Sequence, residues 1–383
     1  MPYAVTAASV FDGMAVRRHC AVVIDGPQIL HVLPKRDLPA TIPVRHLPEG
    51  AWLAPGFIDV QVNGGGDVLF NEDTSPGGIA TIAAAHRRFG TTALMPTLLS
   101  DTREKMLAAR AAAETSAKVE PSVIGIHYEG PFLSPDRAGV HDQEMLRRPE
   151  PWDLKALRPL RKGVVLLTLA PERVPRGFIA QLTAAGVRVS LGHSMATYEE
   201  TRAALAEGLT GFTHLFNAMR PLASREPGPI VAALEAPQAW FGMIVDGEHV
   251  APPMLQLALR GAAQPMLVTD AMPPVGGSRA AFTLCGQPIT VRDGRCTTAD
   301  GTLAGAVLDM ASAVRNSVRL LDMPLAAALR LASATPAGFL GLQDRLGRLA
   351  PGYRADMVAL DPEKITVLAT WVAGKESAAP GSD

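Results

Sequence analysis

Four ionisable residues stand at the ends of four short apolar runs, where a strand interior would not favour them. They are Glu129, His193, His214 and Asp270. One carboxylate and two imidazoles form a common ligand set for a catalytic divalent metal that keeps an open position for water. A single histidine at a strand end is more often a packed structural residue than a ligand, but four ionisable residues in equivalent positions favour a functional site. We therefore expect Glu129, His193 and His214 to bind a metal ion and Asp270 to carry a proton.

Two amide residues end an earlier run, FIDVQVN, where Gln61 and Asn63 are separated by one residue. Neutral amides are poor ligands for a transition metal, although they form hydrogen bonds with neighbouring side chains or with a bound water. A further histidine, His249, ends the run FGMIVDGEH. These three residues are expected at the same edge of the protein as the four ionisable ones.

The elements that must position these residues are short apolar strands separated by alanine-rich helical stretches. The strand candidates are residues 57–63, 91–99, 123–130, 164–172, 187–193, 211–217, 241–249 and 265–272. Near-continuous apolar strands that alternate with helices indicate a parallel sheet covered on both faces. Eight such units predict an α/β fold with a closed (β/α)8 TIM-type barrel, in which catalytic groups lie at the C-terminal ends of the strands.

The two ends of the chain follow a different pattern. Residues 1–53 and 345–383 alternate and turn like antiparallel strands, and neither segment can bury its apolar face alone. The sequence therefore predicts one small β-sandwich domain built from both chain ends, beside a metal-dependent catalytic barrel at 54–344. A turn-rich insert near 280–303 is expected to form a hairpin within the barrel segment.

Composition limits the classes of function. The chain has 383 residues, a formal net charge of −1 and 48% hydrophobic residues, which argues against nucleic acid or a membrane surface as the main partner. The start, MPYAVTAASVFDGM, does not read as a signal peptide, and no apolar run is long enough to cross a membrane. Cys20, Cys285 and Cys296 lack the spacing of a disulfide framework or a zinc knuckle. We expect a cytoplasmic protein.

Longer motifs surround the residues named above: PGFIDVQVNG, IHYEGPFLSPDRAGVH, SLGHS, FTHLFNAM, VDGEH and VTDAM. Over nearly the whole chain, and in the same order, they resemble the N-acetylglucosamine-6-phosphate deacetylase family of the amidohydrolase superfamily. The late elements TPAGFLGL and GRLAPGYRADMVAL are shared across the wider superfamily and support only the fold. HYEGPF, THLFNAM and the VDGEH–VTDAM pair are narrower, and they carry the substrate class.

The resemblance bears on the number of metal ions. Some members of the family have two histidines at the first strand and bind two ions, whereas others have Gln-x-Asn and function with one. Gln61 and Asn63 match the second pattern. The end of the fourth strand, Thr168 to Ala170, also lacks the lysine that bridges two metals in many relatives. The resemblance therefore implies one divalent metal ion per subunit, zinc or iron(II).

The reaction implied by the resemblance is hydrolysis of N-acetyl-D-glucosamine 6-phosphate to D-glucosamine 6-phosphate and acetate, in amino-sugar catabolism and cell-wall sugar recycling. A metal on the three ligands would lower the pKa of a bound water toward about 7. Asp270 would take the proton of this water and then protonate the departing amine. His141, which by itself reads as a loop histidine, is implied to stabilise the oxyanion.

The resemblance also implies how the phosphorylated amino sugar is bound. Arg225 and His249 contact the phosphate near a homodimer interface, and Asn217 and Ala218 contact the sugar. An arginine suits this role because its guanidinium group matches the geometry of phosphate oxygens. The pocket is closed by an element that is usually LAGS and here reads LAGA, with alanine in place of the serine: Leu303, Ala304, Gly305 and Ala306.

Three alternative functions stay open at this point. The substrate is N-acetylgalactosamine 6-phosphate, which differs at one hydroxyl group, or the chain catalyses another amidohydrolase reaction. The third alternative is a non-catalytic assembly module, which only the missing first-strand histidines support. The retained ionisable residues count against it.

Three further polar residues have open or structural roles. His127 lies two residues before Glu129 and points to the same side of its strand, where it orients Glu129 or water, or packs in the core. Asp59 lies on the Gln61 face of the first strand and is a structural candidate. His86 lies in a predicted helix and is expected to face solvent.

Overall fold

Eight parallel strands form one sheet in the computed structural model of the protein, and their order in the sheet is their order along the chain. The structure describes residues 1–378, so positions 379–383 of the predicted C-terminal β segment lie outside the described residues. The barrel strands are Phe57–Val62, Thr91–Leu99, Gly125–Glu129, Val164–Leu169, Arg188–Leu191, Gly211–Phe212, Trp240–Met243 and Gln264–Leu267. Beyond the eighth strand, Ala271 pairs with Val62, and its carbonyl oxygen accepts from the Asn63 amide at 3.0 Å. The sheet therefore closes almost completely, and the predicted barrel is confirmed.

A helix follows each barrel strand and covers the outside of the sheet. These helices are Pro76–Arg87, Arg103–Val119, Pro151–Ala156, Phe178–Ala184, Tyr198–Ala206, Gly228–Glu235, Pro252–Ala258 and Met310–Leu321. Two more helices pack against the eighth strand: Leu325–Leu331 and Ala334–Leu340. Local sequence explains several helix starts, because the side chains of Ser75, Thr102 and Thr197 each accept a hydrogen bond from the backbone amide three residues later.

The two chain ends form a β-sandwich beside the barrel. One sheet has the strand order Gln28–Pro34, Cys20–Asp25, Tyr3–Thr6 and Val44–His46. The other sheet joins both ends of the chain, in the order Lys375–Ala378, Thr366–Val372, Met357–Asp361, Trp52–Pro55, Ser9–Phe11 and Val16–Arg18. Val22 from the first sheet and Leu53 and Trp371 from the second are buried in one cluster. This cluster is the core of the sandwich.

Between the eighth barrel strand and its helix, the chain forms an antiparallel meander where the sequence predicts a hairpin. Its strands are Ala281–Leu284, Gln287–Arg292, Arg295–Thr297 and Leu303–Ala306. Phe282, Ile289 and Cys296 of the meander are buried with Leu99, the last residue of the second barrel strand, and with Met272, which lies beyond the end of the eighth. The meander therefore packs on the C-terminal end of the barrel.

The remaining regular elements are short. They are the hairpin Gly64–Gly65 with Val68–Leu69 and the 3-10 helices Lys35–Asp37, Pro135–Arg137, Gln143–Met145 and Pro171–Arg173. Within residues 1–378, no helix combines the length and the apolar character needed to cross a membrane.

Two glycines give a matched test of packing. A Cβ atom at Gly125, in the third barrel strand, would overlap the carbonyl oxygen of Val164 in the fourth. At Gly338, in helix Ala334–Leu340, a Cβ atom would meet no atom within 4 Å. We expect Gly125→Ala to lower the free energy of unfolding by about 1–3 kcal/mol and Gly338→Ala to raise it by about 0.5–1 kcal/mol through helix propensity. Urea unfolding measures both changes, and equal midpoints for the two variants would contradict the packing argument.

Candidate active site

The predicted metal ligands lie at the C-terminal ends of barrel strands. Glu129 is the last residue of the third strand, and His193 and His214 lie just beyond the ends of the fifth and sixth. His193, His214 and Asp270 have left-handed backbone conformations, with φ of 47°, 32° and 52°. A non-glycine residue adopts this region at a cost of about 1–3 kcal/mol, and such residues cluster at functional sites. The surrounding barrel therefore holds these three side chains in backbone positions that they would not adopt alone.

The three predicted ligands meet at one buried point. Oε1 of Glu129 lies 3.1 Å from Nε2 of His193 and 2.9 Å from Nε2 of His214. The two Nε2 atoms are 3.1 Å apart. Together the residues form a buried group that is compact enough to hold a metal ion.

The hydrogen bonding of His193 shows how its ring faces this point. Its Nδ1 donates to the carbonyl oxygen of Arg137 at 2.8 Å, so the lone pair of the neutral ring is on Nε2. A carboxylate oxygen and an imidazole lone pair that face the same point repel each other unless a cation lies between them. The chemistry of the donor set therefore fits a divalent metal ion, with the Arg137 carbonyl fixing the orientation of one ligand.

Gln61 and Asn63 contact the two carboxylates of the site. Nε2 of Gln61 donates to Oε2 of Glu129 at 3.2 Å and to Oδ1 of Asp270 at 3.1 Å. Nδ2 of Asn63 donates to the same oxygen of Asp270 at 2.6 Å. The two amides therefore hold Oδ1 of Asp270, while Oδ2 of this residue makes no hydrogen bond within residues 1–378.

Burial shifts the pKa values of Asp270 and His141 in opposite directions. Burial, followed by the negative charge of Glu129, raises the pKa of Asp270 to about 6. Burial, followed by the nearby His193, lowers the pKa of His141 to about 3, so its ring is neutral near pH 7. Nδ1 of His141 accepts a hydrogen bond from the Ser100 backbone amide at 3.2 Å, which places the ring proton on Nε2. His141 is therefore a neutral hydrogen-bond donor.

These residues line a cavity of about 330 Å³ at the C-terminal end of the barrel. Small-molecule sites have volumes of about 300–1,000 Å³. The predicted site residues in its wall are Glu129, His141, His193, His214, Asn217, Ala218, His249, Asp270, Leu303 and Gly305. Nδ1 of His249 donates to Oδ2 of Asp246 at 2.6 Å, which fixes the ring and leaves Nε2 for other contacts.

Three of the predicted substrate-binding residues lie outside the wall of this cavity. Arg225 is exposed in the loop after the sixth strand. Ala304 is buried in the core of the meander. Ala306 acts through its backbone, since its amide donates to the carbonyl oxygen of Asp270 at 3.0 Å and its carbonyl accepts from the Met272 amide at 3.0 Å. The LAGA element therefore presents Leu303 and Gly305 to the cavity and supports the end of the eighth strand with Ala306.

His127 and Asp59 lie deeper in the barrel than the candidate site. Nε2 of His127 lies 2.7 Å from Oγ1 of Thr168, and the ring is fully enclosed. Asp59 accepts hydrogen bonds from Oγ1 of Thr269 at 2.5 Å and from the Gln61 amide at 3.2 Å. Asp59 thus links the first strand to the end of the eighth, and His127 packs among hydroxyl groups.

The expectation that His86 faces solvent is wrong. The side chain is buried, and its Nε2 lies 2.9 Å from the carbonyl oxygen of Gly64. In helix Pro76–Arg87 the buried residues Ile79, Ile82 and Ala83 precede His86 at helical spacing. The apolar stripe of the helix therefore contained the signal that His86 points toward the sheet.

Among the lining residues that the sequence-based set lacks, one is basic. Arg137 lies in the cavity wall, four residues before His141 in the same motif. Its place in the wall follows from a 3-10 turn and from the contact of its carbonyl oxygen with His193, which no local sequence pattern indicates.

Comparison with known families matches nearly the whole chain. Residues 52–380 match the amidohydrolase family, and residues 2–53 match the NagA composite domain.

Individual proteins agree with these family matches. An N-acetylgalactosamine-6-phosphate deacetylase from Shewanella sp. (strain ANA-3) is 42% identical over 93% of this chain and 91% of the relative. An N-acetylglucosamine-6-phosphate deacetylase from Haemophilus influenzae is 34% identical over 98% of this chain and 99% of the relative. The crystal structure of N-acetylglucosamine-6-phosphate deacetylase from Pasteurella multocida has a TM-score of 0.94 at 33% identity and covers 99% of this chain and 100% of that chain. The chain therefore belongs to the amidohydrolase family, in the branch that contains these sugar-phosphate deacetylases.

Proposed function

We propose that the protein hydrolyses the N-acetyl group of N-acetyl-D-glucosamine 6-phosphate, releasing acetate and D-glucosamine 6-phosphate for amino-sugar catabolism and cell-wall sugar recycling. The observation that carries this proposal is the placement of Asp270 beside the buried Glu129–His193–His214 group in one cavity. The substrate class is supported by relatives whose identity extends over nearly the whole chain.

Glu129, His193 and His214 would hold one divalent ion, zinc or iron(II), in each subunit. When bound, such an ion polarises the amide carbonyl and makes water more acidic. Gln61 supports a single ion, because its neutral amide is a poor metal ligand and instead donates to Oε2 of Glu129 and Oδ1 of Asp270.

The side chains around this group divide the proton transfers between them. Asp270 accepts a proton from the attacking water at Oδ2, because Oδ1 is held by Gln61 and Asn63. It then delivers the proton to the amide nitrogen, which leaves readily as a neutral amine. His141 donates from Nε2 to the amide oxygen as negative charge develops there. This donation requires a neutral ring with its proton on Nε2, which is the form that the Ser100 amide selects.

We infer that Asn217, Ala218, Leu303 and Gly305 contact the sugar and that His249 contacts the phosphate. Each of them lies in the wall of the cavity. Arg225 lies outside its own cavity and is exposed, which supports a role in a partner subunit's cavity across a homodimer interface.

N-acetyl-D-galactosamine 6-phosphate is the second candidate substrate. The observation in its favour is the 42% identity to the N-acetylgalactosamine-6-phosphate deacetylase of Shewanella. The two sugars differ at a single hydroxyl group, so one or two contacts in the cavity decide between them.

Acetate release from both sugar phosphates, each assayed beside its unphosphorylated form, tests the proposal. We expect the highest kcat/KM for N-acetyl-D-glucosamine 6-phosphate. A higher value for the galactosamine compound would select the second candidate. No acetate from any of the four compounds, with metal-loaded protein, would reject both.

Arg225→Ala tests the proposed contact across the dimer. Loss of a charged hydrogen bond to the phosphate costs about 1.5–3 kcal/mol. The value of kcat/KM for the phosphorylated sugar should fall by the corresponding factor. The unphosphorylated sugar, a poor substrate, should lose almost nothing. Equal losses on both substrates would show that Arg225 supports the loop instead.

Mixed dimers then locate the arginine. A dimer of Arg225→Ala and Asp270→Asn subunits contains one cavity with an intact Asp270 and an intact partner arginine, so mixing the two impaired proteins should restore part of the activity on the phosphorylated sugar. Absence of rescue after verified subunit exchange would place Arg225 in its own subunit's site.

Two further assignments belong to the same proposal. We propose a cytoplasmic location, where the free cysteines Cys20, Cys285 and Cys296 would stay reduced. We also propose that 1–53 with 345–383 and 54–344 are separate domains. A buried cluster formed only by residues of the two chain ends supports this division, and Phe11, Val358 and Leu360 join the sandwich to the barrel core.

A further inference from the structure

Arg137 is the one lysine or arginine in the wall of the catalytic cavity, as far as the described part of the chain is concerned. The other basic groups there are histidines, and the carboxylates of Glu129, Asp136 and Asp270 also line the cavity. A substrate that carries a phosphate group must enter this acidic cavity. The proposed divalent ion offsets part of this negative charge at the ligand group, and Arg137 is the side chain of the same subunit that adds a permanent positive charge in the cavity wall.

The backbone of Arg137 is fixed by contacts with the metal-ligand region. It ends the 3-10 helix Pro135–Arg137, in which its amide donates to the Ser134 carbonyl oxygen at 3.0 Å. The Ser134 amide donates to the carbonyl oxygen of His193 at 2.9 Å, and the Arg137 carbonyl accepts from Nδ1 of the same histidine. The segment therefore has a defined position relative to the site.

The guanidinium group has no acidic partner. Its Nε donates to Sδ of Met195 at 3.0 Å, and no ion pair involves it within residues 1–378. By contrast Arg147, further along the same loop, is paired with the buried Asp153 at 2.6 Å. An arginine whose two terminal nitrogens have no carboxylate can offer both of them to one oxyanion.

The position of Arg137 indicates which part of the substrate it meets. Glu129, His193 and His214 are buried at the floor of the cavity, whereas Arg137 is only half-buried and lies at its rim. Under the proposed function, the acetamide on C2 lies at the floor, so the phosphate on C6 projects toward the rim. We propose that Arg137 binds the 6-phosphate within its own subunit and so contributes to selection of phosphorylated sugars.

This inference rests on the proposed function, so its test uses equilibrium binding as well as turnover. Arg137→Ala and Arg137→Lys are prepared in the full-length, metal-loaded protein and in an Asp270→Asn background that binds substrate without rapid turnover. Arg148→Ala, an exposed arginine of the same loop outside the cavity, is the matched control.

For Arg137→Ala, we expect KM for N-acetyl-D-glucosamine 6-phosphate to rise by at least about tenfold, the scale of a charged hydrogen bond, with kcat nearly unchanged. Kd in the Asp270→Asn background should rise by the same factor. Lysine should restore part of the affinity, because it keeps the charge and loses the bidentate geometry. Metal content, the unphosphorylated sugar and the Arg148→Ala control should show no change.

The outcomes distinguish failure of the proposed role of Arg137 from failure of the proposed deacetylase function. An unchanged Kd for the sugar phosphate, or equal losses with phosphorylated and unphosphorylated sugar, would overturn the role of Arg137 while wild-type acetate release leaves the function standing. If the wild type releases no acetate and the Asp270→Asn protein binds no sugar phosphate, both fall together. Loss of metal in Arg137→Ala would show that the residue serves only to hold His193.

Discussion

Replacing His214 with alanine is expected to remove the metal ion and the deacetylase activity together. Nε2 of His214 lies 2.9 Å from Oε1 of Glu129 and 3.1 Å from Nε2 of His193, so its loss leaves a carboxylate and one imidazole. Two protein ligands do not form the three-ligand set of a catalytic divalent site. Because a bound metal contributes several kcal/mol to catalysis, turnover should fall by at least about 10³-fold.

Elemental analysis of the purified protein, run beside an acetate-release assay, provides the measurement. The wild type should contain about one ion per subunit, as the single ligand set suggests, and His214→Ala should contain almost none. His31→Ala, an exposed histidine of the β-sandwich, is the control and should keep both metal and activity. Activity in metal-free protein would refute the metal requirement, and two ions needed for activity would refute the single site.

Asp270→Asn is expected to keep the metal and the fold while turnover falls by about 10²-fold or more, the loss typical of removing a general base. The substitution is nearly isosteric, and the asparagine oxygen can still accept hydrogen bonds from Gln61 and Asn63, as Oδ1 does now. The atom lost is the second carboxylate oxygen, Oδ2. An amide group in its place cannot take a proton from water.

Three measurements distinguish the possible roles of Asp270. Metal content and substrate Kd should match those of the wild type, and kcat should carry the loss. Loss of metal would identify Asp270 as a ligand, and near-normal kcat would mean that the proton is carried by another group. A weaker Kd with unchanged kcat would assign it to substrate binding alone.

The candidate metal-ligand group could be predicted from the sequence, because the barrel fold determines where the residues that follow each strand lie. Residues at the C-terminal ends of parallel barrel strands meet at one edge. The strand assignment alone therefore predicts that Glu129, His193 and His214 lie close together. Which residues of the LAGA element face the cavity can also be predicted from the sequence. Alternation along a strand sends Leu303 and Gly305 to one side and Ala304 and Ala306 to the other.

Other features depend on contacts that no local pattern contains. The amide of Gln61 reaches two carboxylates from distant strands, and this depends on the curvature of the closed sheet. The cavity position of Arg137 depends on a short 3-10 turn and a carbonyl contact with His193. Neither contact produces a periodic pattern in the sequence. The burial of His86 does produce one, in the apolar stripe of its helix, and the expectation that this residue faces solvent overlooked it.

The mixed sheet of the β-sandwich has a consequence for how the chain is made. Strand Trp52–Pro55 lies between Ser9–Phe11 and Met357–Asp361, so one of its neighbours comes from the opposite end of the chain. During synthesis the N-terminal strands therefore present an open edge on the ribosome until almost the entire barrel has emerged. Open edges pair readily with other chains. We expect nascent chains that stop before Met357 to depend on chaperones and to aggregate when released, even where their barrel helices have formed.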